Sequence, residues 1–169
     1  MKAAWVVLAV SLALVLQTQT TLNRFMVRGA VVVDLVLVVV VYVALTSGPV
    51  TGLLSGTVAG LIQDALSSGV IGIGGLAKTI VGFLAGAFGQ QFIVTAALPR
   101  LVIFVAGTVL HGVVYMGLYS LLDLREFPSP WKPLAAQALG NALVGIVAFG
   151  IIESLPGMVE RRRARRVRR

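Results

Sequence analysis

The chain has 169 residues, a formal net charge of +8, 58% hydrophobic residues and only 12% charged ones, with a mean hydropathy of +0.99. A surface so poor in charge does not dissolve in water, so the composition predicts an integral membrane protein forming one compact domain. The absence of cysteine excludes disulfides, thioether-linked haem and thiolate metal sites, and leaves the redox compartment undetermined.

The first expected span is the uncharged run from Ala3 to Leu22, 20 residues long and sufficient for a hydrocarbon core of about 30 Å. Lys2 ahead of it has the look of a signal peptide, but no small-x-small cleavage site precedes Gln17-Thr18-Gln19-Thr20, so the run is expected to be retained. A short connection with Arg24 and Arg28 follows. The next 38 residues, Ala30 to Ser67, would make one helix of about 57 Å, so Gly48-Pro49 is expected to break them into Val31 to Thr46 and Val50 to Leu66. The first of these is a Val/Leu run without a small-residue stripe and is expected to face lipid. Asp34, near its start, is placed either to stay in the interface or to reach Arg28 or Lys78.

The region from Gly48 to Gln90 carries the most specific pattern. Gly52, Gly56, Gly60 and Asp64 recur every four residues, and Lys78, Gly82, Gly86 and Gln90 answer them with the charge now first. Small residues let helix backbones approach closely in lipid, so both stripes predict packing faces. They either close the hairpin on itself, or one of them receives a partner's helix. In an antiparallel hairpin Asp64 and Lys78 fall near one another in depth, which makes them candidates for an intramembrane ion pair with Asp34 as neighbour.

The fourth span is expected at Gly75 to Val94 and the fifth at Pro99 to Leu122, with Pro99 in the first turn and Arg100 reaching the headgroups. His111 lies mid-span on a stripe with Gly107, Tyr115 and Tyr119. It reads as a buried, hydrogen-bonded neutral imidazole, since proton transfer would need a carboxylate at the same depth that the sequence does not display. The connection from Asp123 to Lys132 contains Pro128, Pro130 and an interfacial Trp131. Pro133 opens the sixth span, which carries Gln137, Asn141 and Gly145 on one face and ends near Leu155, with Glu153 at its far end.

Residues 1–156 thus form an expected six-helix transmembrane domain, all-α and polytopic, and 157–169 a basic cytoplasmic tail. The tail holds Arg161, Arg162, Arg163, Arg165, Arg166, Arg168 and Arg169. The positive-inside rule places it, and with six spans also the amino terminus, in the cytoplasm. Its expected contacts are anionic lipid or an acidic cytoplasmic partner; nucleic acid is excluded because no aromatic residue is there to stack on bases. No phosphate-cradling loop, nucleophile triad or paired carboxylates on one helix face can be traced, so catalysis, cofactor and metal are not expected.

The order Asp34, Tyr42-Val43-Ala44-Leu45, Gly48-Pro49, Gly52-Leu53-Leu54-Ser55-Gly56, Gly60-Leu61-Ile62-Gln63-Asp64, Gly69, Gly72 and Leu76-Ala77-Lys78 through Gly86 resembles the rod shape-determining MreD family. One departure is Val33, where that family often has a proline. The resemblance implies a non-enzymatic scaffold of the cell-elongation machinery in the bacterial inner membrane. It would bind MreC and act with the MreB filament, the RodA glycan polymerase and its transpeptidase in lateral peptidoglycan synthesis. Gly52, Gly56, Gly60, Gly82 and Gly86 would be the partner or packing face. The same architecture resembles the six-helix substrate-binding subunits of energy-coupling-factor vitamin transporters, whose first-helix Ala-x-x-x-Ala form is matched by Ala9 and Ala13. That resemblance implies the rival function of a vitamin-binding subunit.

Overall fold

The computed structural model describes residues 2–23, 33–67, 70–91, 96–124, 126–127 and 129–167, with side chains in the first helix at Trp5 and 7–16 and in the last helix as far as Glu153. The described residues form six helices: α1 (Lys2–Asn23), α2 (Leu35–Ser47), α3 (Pro49–Leu66), α4 (Ile73–Gln91), α5 (Ala97–Leu121) and α6 (Trp131–Val167). Three of them, α4, α5 and the Trp131–Glu153 part of α6, are long and apolar enough to cross a membrane.

The breaks fall where backbone chemistry demands them. Gly48 adopts φ +91°, a left-handed conformation that side chains resist, and Pro49 then starts α3 at a position where its missing N–H is no loss. Gly72 turns the chain into α4 with φ +108°. α2 begins at Leu35 rather than Val31, because the Asp34 side chain accepts the Leu37 N–H and caps the helix there. Positions 31 and 32 lie outside the described residues.

The largest correction concerns α2. Its 13 residues reach only about 20 Å, short of a bilayer core, and it does not face lipid. It is the central helix, touching all five others, while among the described residues α1 touches only α2 and α3. Val36, Leu37, Val38, Val40, Val41, Val43 and Ala44 are buried. A helix apolar all round fits either lipid or a protein core, and here neighbours on every side choose the core. Two clusters pack against it: Val36 and Val40 with Ala13, Leu14 and Ala59, and Leu37, Val41 and Ala44 with Val81, Phe104, Ala142 and Phe149.

α3 and α4 form the most extensive helix pair. A Cβ added at Gly52 would strike the Gly82 carbonyl, one at Gly82 the Gly52 carbonyl, and one at Gly56 the Lys78 carbonyl; one at Gly60 would sit 2.5 Å from the Gly75 Cα, and one at Gly86 2.5 Å from the Pro49 Cα. The two stripes therefore pack on each other, backbone against backbone. Thr57 and Thr79 hydroxyls, 2.8 Å apart, cross the same seam. The backbone of α6 stays helical through Val167, past the position near Leu155 where the sixth span is expected to end.

Candidate functional site

The site is a buried polar cluster where α2 begins. Asp34 is placed by the end of α2, Lys78 by the second turn of α4, Thr108 and His111 by mid-α5, and Asn141 by mid-α6. All five are at least nine-tenths buried. The Lys78 Nζ lies 2.8 Å from the Asp34 Oδ2 and 3.1 Å from the His111 Nε2. An ammonium has only hydrogens to give, so Nε2 accepts and the imidazole hydrogen sits on Nδ1. The other Asp34 oxygen takes the Leu37 N–H at 3.0 Å.

Asn141 ties the cluster to the remaining helix. Its Oδ1 accepts the Asp34 backbone N–H at 2.9 Å, and its Nδ2 donates to the Thr108 Oγ1 at 3.0 Å. The Thr108 hydroxyl in turn donates to the Phe104 carbonyl at 2.8 Å. One carboxylate, one ammonium, one imidazole, one amide and one hydroxyl thus join α2, α4, α5 and α6 while satisfying one another. Charges taken out of solvent are tolerable when paired and hydrogen-bonded.

Asp64 and Lys78 are not the pair. The Asp64 Oδ2 accepts the N–H groups of Gly72 at 2.9 Å and Gly75 at 3.0 Å, so its carboxylate sits on the open N-terminus of α4. Those amides are unsatisfied in any helix start and carry partial positive charge, which makes them a nearer partner than an ammonium a turn further along. A Cβ at Gly74 would collide with Asp64 Oδ1, so the glycine leaves room for the carboxylate. Lys78 keeps its carbonyl at the seam with Gly56 and sends its amine the other way, to α2 and α5.

A second polar contact lies toward the opposite end of α5. Arg100 is buried and makes a two-pronged pair with Glu153, at 3.0 Å from Nη1 to Oε2 and 2.5 Å from Nη2 to Oε1. Its guanidinium stands 4.3 Å over the Phe149 ring, which in turn lies 4.5 Å from Tyr42. Arg100 therefore joins α5 to α6, where an exposed headgroup contact was expected. α5 and α6 run antiparallel, so the start of one meets the far end of the other.

His111, Tyr115, Tyr119 and Phe127 form a run of rings with centroid spacings of 5.8, 4.8 and 6.0 Å. It ends where the Tyr119 hydroxyl accepts the Val70 N–H at 3.2 Å, fastening the α3–α4 connection. Reading the sequence missed Thr108 and the role of Asn141 toward Asp34. The signal available was polarity alone, since both sit mid-span in apolar helices. Arg24 and Arg28, and the side chains of Arg161 to Arg169, lie outside the described residues.

Apolar helices that could cross a bilayer, a seam of glycines and a buried cluster of hydrogen-bonded polar groups define a helical integral membrane protein. Over residues 1–152 the chain matches the family described as rod shape-determining protein MreD. The chain belongs to that family, whose members serve cell shape and are not known as enzymes. No curated protein and no solved structure gives a match.

Proposed function

We propose that this chain is a six-span scaffold subunit of the bacterial cell-elongation machinery. In this reading it lies in the inner membrane with both termini cytoplasmic, binds MreC, and supports lateral peptidoglycan synthesis with MreB, RodA and the associated transpeptidase. The observation that carries it is the polar cluster: its groups are consumed by one another and fix four helices, as a rigid holder requires and a ligand pocket does not. Membership of a rod-shape family supports the same reading. With Gly52, Gly56, Gly60, Gly82 and Gly86 used inside the α3–α4 seam, a partner helix is received on another apolar face. α1, whose Val7, Leu8, Leu12 and Val15 are exposed, is the first place to look.

The rival reading, a vitamin-binding transporter subunit, needs polar groups free for a ligand. Asp64 and Lys78 are taken by Gly72, Gly75, Asp34 and His111. Affinity purification from native membranes in mild detergent, with mass spectrometry of proteins and small molecules, tests the choice. Recovery of MreC or the glycan polymerase supports the scaffold; recovery of ATPase subunits with a bound vitamin overturns it.

A further inference from the structure

The family match stops at residue 152, yet α6 continues as helix to Val167. Arg161, Arg162, Arg163, Arg165 and Arg166 lie within that continuation, and Arg168 and Arg169 follow it; Glu160 is the one acidic residue among them. We infer that this extension is a docking surface for the phosphate headgroups of anionic lipid in the protein's own bilayer. The inference is independent of which partners the protein scaffolds.

Leu155, Met158 and Val159 carry apolar character beyond Glu153, so the apolar-to-interfacial length from Trp131 to Val159 is 29 residues. At 1.5 Å per residue that is about 44 Å, the thickness of a bilayer with its headgroups. Arg161 therefore emerges at the rim of the headgroup layer. Arg161 to Arg166 cover only about 8 Å of helix, within one screening length of the phosphates at physiological salt. Because the helix backbone is continuous with the span, the arginine segment starts at that surface.

Every basic residue of the extension is arginine, whose planar fork matches phosphate oxygens two at a time. Pro156 lies inside the helix, where it removes one backbone donor and crowds the preceding turn. It is followed by Gly157, and the pair supplies a bend point between span and extension, letting the arginine segment incline toward the membrane plane. An acidic soluble protein would meet the same charges only by displacing lipid phosphates already beside them.

The chain has no cysteine, so Val167→Cys gives a unique attachment point for a nitroxide spin label. The full-length protein is placed in nanodiscs of phosphatidylcholine alone or with phosphatidylglycerol added, and label mobility and accessibility to a water-soluble nickel chelate are measured. The anionic disc should slow the label and lower its accessibility roughly tenfold or more, since the attraction of a few arginines suffices for that. Raised salt should reverse the protection, as should changing the seven arginines together to glutamine; the corresponding lysine set should retain most of it. Equal accessibility in the two discs, or protection that survives the glutamine set, overturns the inference. Unchanged thermal unfolding of each variant confirms that the readout reports the tail.

Discussion

The α3–α4 seam and the polar cluster at the start of α2 solve one problem in opposite ways. In the seam, helices meet by removing side chains: Gly52 and Gly82 face each other's carbonyls, and contact between backbones does the work. In the cluster, helices meet by adding polar side chains, and Asp34, Lys78, His111, Asn141 and Thr108 reach one another across α2, α4, α5 and α6. Each device suits a different kind of helix pair. Glycines suit a pair of neighbours joined by a short turn, whose register the turn already fixes. A directional polar network suits helices far apart in the chain, because it accepts one register and penalises the others.

The seam should be the more brittle of the two. Gly82→Leu places a side chain against the Gly52 carbonyl with no flexible neighbour to yield, and is expected to abolish folding. Loss of the folded species on size exclusion in mild detergent checks this, and a monodisperse, normally melting variant would refute the close contact. Next in size, Asp34→Leu or Lys78→Met alone should destabilise by about 3–5 kcal/mol, since each leaves a buried charge without its counterpart. The double variant should recover much of that loss in a thermal or denaturant titration. Strictly additive losses would show that the two groups do not pair.

Asp64→Ala removes the acceptor for two N–H groups at the start of α4 and should cost about 1–3 kcal/mol. Hydrogen exchange should rise at Gly72 and Gly75 and stay low at Lys78, sharpening the separation of the two carboxylates. The smallest effect is expected for Thr57→Val, which breaks the hydroxyl contact with Thr79 and should cost about 0.6 kcal/mol. A loss several times larger would mean that the seam depends on hydrogen bonds rather than on shape.

Much of this architecture was legible along the chain. The helices, the Gly48-Pro49 break and the two facing stripes follow from local periodicity and turn chemistry, all of which act within a few residues. The partner of Lys78 was not legible. Spacing places Asp64 and Lys78 at one end of the hairpin, but it says nothing of a third helix whose capping carboxylate enters beside them. It also does not show that the amides of Gly72 and Gly75 will claim Asp64 first. The same limit hid the carboxylate near His111, which is absent from α5 and arrives on α2 through Lys78. It misassigned α2 as well, because a uniformly apolar helix has no face from which to infer its surroundings.

The hydrogen bond between the Asp34 backbone and Asn141 spans 107 positions of sequence. The central helix is thus the second to be synthesised and cannot complete its contacts until the sixth arrives. During biogenesis, α2 must wait beside incomplete neighbours with its capping carboxylate lacking its final surroundings. Chains interrupted before Trp131 should consequently be cleared by membrane proteases far faster than the full-length protein, and a pulse-chase comparison would reveal it. Quality control of this protein would then read out the arrival of its last helix.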